Sequence, residues 1–135
     1  MIDDILRAAH RVISLESDPD GVEARTALRL ACRTADAAAD DATADQDRWT
    51  FASVSIAEGI DRLTEGLPDE PLPDTDPPDL AEVTEATVRE PLRALLTSLS
   101  ALYATAADRP GGPPWRQLAW AAVTQHLDRA LRELP

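Results

Sequence analysis

Five aspartates crowd a short stretch of this chain, and carboxylates in such numbers could bind a metal ion. They are Asp36, Asp40, Asp41, Asp45 and Asp47. Mg²⁺ and Ca²⁺ prefer oxygen ligands of this kind, and the nearest acids on another predicted helix are Glu82 and Glu85. One hypothesis is therefore a metal-dependent helical-bundle hydrolase that holds a divalent cation on Asp36, Asp40 and Glu82 or Glu85.

The spacing of these acids favours a plainer interpretation. It matches no EF-hand loop, and no second acidic motif of clear metal-binding form accompanies it. We therefore prefer a solvated helix end in an acid-rich chain, with Arg33 paired to Asp36 across one helical turn. No cofactor is expected under this interpretation.

Three arginines at intervals of four residues form a basic stripe along one helix face: Arg25, Arg29 and Arg33. Guanidinium groups bind carboxylates and phosphates through paired hydrogen bonds. The preferred alternative is ion pairing with Glu82, Glu85 or Glu90 on a neighbouring helix, each surface pair being worth under about 1 kcal/mol. If the stripe faces outward instead, it is the best anion-binding site in the sequence.

Residues for nucleophilic or metal-based catalysis are sparse. The chain has two histidines, His10 and His126, and one cysteine, Cys32. Neither histidine has the spacing of di-iron bundles or zinc peptidases, and no nucleophile-elbow, P-loop or dinucleotide glycine motif occurs. The histidines are predicted to lie at the edge of the core and Cys32 to be a buried, inert thiol. The sequence thus gives no positive indication of an enzyme.

Tryptophan is unusually frequent for a chain with one phenylalanine and one tyrosine. Trp115 and Trp120 lie five residues apart, which is about 140° around a helix, so both cannot point into one core. Tryptophan is a favoured anchor at protein interfaces, although a tryptophan at the rim of the core is equally common. The leading hypothesis is a small acidic regulatory or adaptor protein that binds another protein through a surface including Trp115 or Trp120.

The overall charge narrows the choice of partner. The 135 residues include 25 acids and 13 bases, for a net charge of −12. This surplus repels phosphate backbones and disfavours direct nucleic-acid binding, but it suits a protein partner with a basic surface. All the bases are arginine and 24 residues are alanine, a composition expected of a GC-rich bacterial genome.

Several features predict a cytoplasmic protein rather than an exported or membrane protein. A single cysteine permits no intrachain disulfide, and the acidic N-terminus lacks the pattern of a secretory signal. The longest uncharged run, Ala94 to Ala107, has 14 residues and is too short to span a bilayer. This run is expected to form a central helix or a homodimer interface.

The elements that position these residues are all predicted to be helices, because apolar residues recur every three or four positions and never alternate strictly. We expect an all-α bundle of four to five helices. The first should end near Glu16, the second should begin at Asp18-Pro19, and a turn should fall near 43–46. The third should end at Gly66, the fourth should begin near Asp76 with a kink or break near Arg89-Glu90 caused by Pro91, and the last should begin at Pro114.

Three predicted helices have an apolar stripe that identifies their buried face. For the second helix it is Ala24, Leu28, Ala31, Ala35, Ala38 and Ala42, in a heptad rhythm. For the third helix the expected face carries Phe51, Val54, Ile56, Ala57, Ile60 and Leu63. For the fourth helix the stripe is Leu80, Val83, Val88, Leu92, Leu95, Leu99 and Leu102.

A proline- and acid-rich linker, residues 68–79, separates a first half (1–67) from a second half (80–135) within one helical domain. An offset of 67 residues aligns Phe51 to Leu67 with Leu118 to Leu134. If this reflects a duplication, two helical hairpins pack with pseudo-twofold symmetry and the linker is a crossover. A third hypothesis places a small-molecule pocket between the halves, near Pro91.

Overall fold

The computed structural model describes residues 2–42, 44–65, 67 and 83–135. Within these ranges the chain forms five α-helices and no strand, which confirms the all-α bundle. They are α1 (Ile2–Val12), α2 (Val22–Asp41), α3 (Gln46–Thr64), α4 (Glu85–Asp108) and α5 (Pro114–Glu133).

The core is built on the predicted faces of α2 and α4. All six residues of the α2 stripe are buried, and their mostly methyl-sized side chains permit close approach of neighbouring helices. In α4, Val88 and the leucines at 92, 95, 96, 99 and 102 are fully buried. α4 packs against α1, α2 and α5, and the leucines of its uncharged run are buried among them.

The predicted face of α3 is partly wrong. Phe51 and Val54 are 58% and 49% exposed. The buried stripe is Trp49, Ala52, Ile56, Gly59 and Leu63, at intervals of three, four, three and four. The sequence carries two overlapping stripes on α3, and the one that includes Gly59 reaches the core because glycine allows α5 to come close.

Two helix boundaries near the N-terminus also differ from expectation. α1 ends at Val12, and the backbone N–H of Ser14 donates to the hydroxyl of Ser17 (3.0 Å). α2 begins at Val22 because Asp18 forms a turn instead of a helix cap. Its carboxylate accepts from the N–H of Asp20 (2.9 Å), and its carbonyl accepts from the N–H of Gly21 (3.0 Å), a local alternative to helix that aspartate favours.

The start of α4 differs as well, and Pro91 does not break this helix. Thr84 is the N-cap, and its hydroxyl accepts from the N–H of Thr87. α4 then continues through Pro91 to Asp108, so a break into two helices is wrong. The predicted cap at Asp76 and the predicted stop at Gly66 lie outside the described residues.

Contacts between helices define a four-helix bundle of antiparallel neighbours, α2–α3, α3–α5, α5–α4 and α4–α2, with α1 packed on α4 and α2. α2 and α5 begin, and α3 and α4 end, at one end of the bundle, which we call the Arg116 end. There Arg116 bonds to Leu63 and Tyr103 to Pro19. At the opposite end the N–H of Glu85 donates to Asp41.

This arrangement is the one that two hairpins related by a pseudo-twofold axis require. α3 ends and α4 begins at opposite ends of the bundle, as a crossover between them would demand. A Cβ at Gly59 would lie 3.3 Å from the Cβ of His126, and these two positions are related by the offset of 67 residues. The duplication itself stays a prediction.

Candidate functional site

A buried arginine organises the Arg116 end. The side chain of Arg116 is 4% exposed. Its Nε donates to Oδ2 of Asp20 (3.0 Å) and one Nη to Oδ1 of the same carboxylate. The same Nη donates to the carbonyl of Leu63 (3.0 Å). The bidentate pair with Asp20 therefore ties α5 to the turn before α2, and the bond to Leu63 ties α5 to the end of α3. Arg116 was not among the residues that the sequence pattern indicated.

Two tryptophans flank this guanidinium. Its central carbon lies 5.0 Å from the ring centre of Trp115 and 5.9 Å from that of Trp120, within the range of cation–π attraction. Trp120 is half-buried, and its Nε1 donates to Asp20 (3.0 Å). Trp115 is 56% exposed and Leu118 is 71% exposed. We call these two exposed side chains the Trp115 face.

Tyr103 fixes the turn that carries Asp20. Its hydroxyl is buried and donates to the carbonyl of Pro19 (2.7 Å). Burial, with the negative charges of Asp20 and Asp18, raises the pKa of Tyr103 far above its usual value. Tyr103 therefore stays neutral and holds the acceptor of Arg116 in place.

The arginine stripe faces outward and is unpaired. Arg25 is half-buried, and Arg29 and Arg33 are exposed. Within the described residues none of the three makes an ion pair, so the expected pairings are wrong where the structure can test them. Glu85 bonds to Arg89 instead (2.6 Å), and Asp36 accepts from the hydroxyl of Ser53 (3.1 Å). Glu90 makes no ion pair with any described arginine, and Glu82 lies outside the described residues.

Two of these arginines border a groove between α2 and α3, which we call the Arg25 groove. It is lined by Arg25, Leu28, Arg29, Ile60, Leu63 and Thr64. The enclosed part of the groove has room for about one water molecule. The Nε of Arg25 is buried and has no hydrogen-bond partner among the described residues.

The residues of the metal hypothesis do not form a cluster in the part of the chain that the structure describes, which holds no group of three potential metal ligands. Asp36 and Asp40 are exposed on α2. The indole of Trp49 lowers the pKa of Glu85 most, and Arg89 lowers it further. Trp49 is fully buried.

The remaining reactive side chains are engaged in the packing of helices. Cys32 is partly buried, its thiol faces the carbonyl of Ser53 (3.6 Å), and burial raises its pKa. His10 bonds to Ser98 (2.7 Å), and Nδ1 of His126 lies 3.4 Å from Glu58. Pro91, near which a small-molecule pocket was predicted, is buried in α4.

None of the described helices combines the length and the apolar character that crossing a membrane requires. The chain matches no protein-family model, no curated protein and no solved structure.

Proposed function

We propose that this protein acts by binding another protein, as a small acidic regulatory or adaptor protein of the cytoplasm, and that the Trp115 face is the contact. The observation that carries the proposal is the position of Trp115. It is a large exposed side chain whose indole packs against the buried guanidinium of Arg116, which is held by two hydrogen bonds to Asp20.

A tryptophan held in this way suits binding for an energetic reason. Ordering a free side chain at an interface costs about 0.5 to 1.5 kcal/mol. Contact with Arg116 restricts Trp115 before any partner arrives, so less of that cost falls on complex formation. Leu118, one turn further along α5, extends the apolar area beside it.

The charge of the whole protein favours a partner with a basic rim. Asp18, Glu23 and Asp108 are exposed and lie in or beside the elements that meet at the Arg116 end. Together with the net charge of −12, they favour a partner whose apolar contact surface is surrounded by Lys or Arg. Opposite charges on the two proteins also speed their association.

The test is affinity capture from a lysate of the source cell with three baits: wild type, Trp115→Ala/Leu118→Ala, and Phe51→Ala. Phe51 is as exposed as Trp115 but lies at the opposite end of the bundle, so it is the matched control. A stoichiometric protein should be retained by wild type and Phe51→Ala, lost by the double variant, and released as salt rises. Equal retention by all three baits, or recovery of the bait alone, would contradict the proposal.

Homodimerisation through α4 is a second proposal, but the packing of α4 inside the bundle leaves little of its surface free to form a dimer interface. The leucines of the uncharged run are used inside the bundle, and the exposed positions of the run are Thr97 and Ala101. Light scattering on Thr97→Glu/Ala101→Glu tests it, because charges at both positions would dissociate an α4 dimer. A monomeric mass for wild type would remove the proposal.

A further inference from the structure

We infer that the Arg25 groove is a binding site for a carboxylate group, separate from the Trp115 face. Arg25 and Arg29 stand one turn apart on α2 at the edge of the groove. Leu28, Ile60 and Leu63 provide apolar walls beside them.

The first reason is an unsatisfied donor. The Nε of Arg25 is buried without a hydrogen-bond partner among the described residues. A buried donor left unpaired costs about 1 to 3 kcal/mol, and such a group in a folded protein calls for an acceptor. The enclosed part of the groove that Arg25 lines holds about one water molecule, which suits a small planar acceptor better than a bulky one.

The second reason is the lack of competing ion pairs in a chain with 25 acids. Some arginines elsewhere on the described surface do pair with acids, as in Arg7 with Asp3 and Arg89 with Glu85. Arg25 and Arg29 make no such pair with any described residue, so both guanidinium groups are available to an incoming anion.

The third reason selects the class of anion. The guanidinium fork matches the two oxygens of a carboxylate. The net charge of −12 repels polyanions more strongly than it repels a single carboxylate. Apolar walls next to the arginines also favour a carboxylate on an aliphatic chain over a phosphate.

The test is a titration of the ¹⁵N-labelled protein with sodium butyrate at constant ionic strength, followed by the Arg Nε–Hε signals and the backbone amides. n-Butylammonium is the matched probe, because it has the same apolar chain and the opposite charge. Butyrate should shift the signals of Arg25, Arg29 and Leu63 saturably, with a Kd of about 1 to 10 mM. Butylammonium should not.

Substitutions locate the site. Arg25→Gln and Arg29→Gln should weaken butyrate binding about tenfold, whereas Arg33→Gln, on the same stripe but outside the groove, should leave it unchanged. An Arg25→Gln substitution that leaves a saturable shift unchanged would overturn the inference, and so would small linear shifts of equal size at all exposed arginines both in wild type and in a variant that lacks the acids of residues 68–82.

The same carboxylate chemistry is present in the chain itself, because residues 68–82 contain six acids. A variant with all six changed to Asn or Gln separates the two sources. If only this variant gives the saturable shift, and Arg25→Gln abolishes it, the groove takes a carboxylate of its own chain. If wild type gives it as well, the groove takes an external one. If neither protein responds, the inference is wrong. None of these results depends on the Trp115 face.

Discussion

A buried guanidinium is stable in a protein only when its charge and its N–H groups find partners. Asp20 supplies the counter-charge of Arg116 and the carbonyl of Leu63 a further acceptor, with Trp120 as a second donor to Asp20, while the other Nη of Arg116 is buried with no hydrogen-bond partner among the described residues. The same contacts position Trp115. The candidate interface therefore depends on one carboxylate that lies outside every helix.

Asp20→Ala should destabilise the protein by about 2 to 4 kcal/mol, because it leaves Arg116 buried without its counter-charge. The lower part of this range is favoured by the 24% exposure of the Asp20 side chain, which admits water. Urea unfolding followed by circular dichroism measures the change.

Asp3→Ala is the matched control, since it breaks the pair with Arg7, whose side chain is 55% exposed. Its effect should stay below about 1 kcal/mol. A loss for Asp20→Ala no larger than that for Asp3→Ala would show that the Arg116 cluster contributes little to folding.

The folded protein should lose stability at high pH because of the buried phenol of Tyr103. The pKa of the phenol is raised in the folded state and is about 10 in the unfolded state. Below pH 10 the group is protonated in both states. Above it, only the unfolded state releases the proton, so stability should fall by about 1.4 kcal/mol per pH unit.

Because Tyr103 is the single tyrosine, tyrosinate absorbance reports on it alone. The absorbance should rise only as the circular dichroism signal is lost. The titration is best made in a Cys32→Ala background, since the raised pKa of Cys32 acts in the same direction. Tyr103→Phe should remove the pH dependence, and ionisation that precedes unfolding would contradict the prediction.

Sequence reasoning identified Trp115 and the outward arginines as candidates but could not find Arg116. Residue type and helical spacing reveal which side chains share a face. They do not reveal that a charged side chain will be buried, because its partner Asp20 is 96 residues away in sequence and the two meet only after the helices pack.

At the scale of helices, the buried faces of α2 and α4 could be predicted because each has one dominant apolar stripe. α3 has two, and hydrophobicity alone favoured the one with Phe51 and Val54. The stripe that reaches the core contains Gly59, which carries no hydrophobic signal but lets α3 pack tightly on α5, because a Cβ at this position would lie 3.3 Å from the Cβ of His126.

Gly59→Leu should therefore destabilise the bundle by about 2 kcal/mol. Overpacking of a tight contact costs about 1 to 3 kcal/mol, and the gain in helix propensity of up to about 1 kcal/mol offsets only part of it. Thr50→Leu, at an exposed position of α3, should change stability by less than about 0.5 kcal/mol. A Gly59→Leu protein as stable as wild type would show that the helices separate without cost.

At the scale of the whole molecule, the all-α fold followed from periodicity. The order in which the helices pack did not, since it depends on contacts between distant parts of the chain such as Ser55 with Glu133. Charge is the other property of the whole molecule that can be taken directly from the sequence, and it has its own consequence for stability.

Salt should stabilise this protein. Raising NaCl from about 10 mM to about 150 mM shortens the Debye length from about 30 Å to about 8 Å, which weakens repulsion among the surplus acids. The exposed ion pairs that salt also weakens contribute under about 1 kcal/mol each. We expect Tm to rise by about 2 to 4 °C, and a fall in Tm would mean that attractive pairs dominate the surface.

The same experiment with MgCl₂ at equal ionic strength tests the metal-dependent hydrolase. A cation bound only by the folded state adds its own increment to Tm. Since the described residues hold no group of three ligands, Asp36→Asn should respond to MgCl₂ as Asp3→Asn does. An increment that Asp36→Asn abolishes and Asp3→Asn retains would instead place a cation on the acidic end of α2, and the function would have to be sought there.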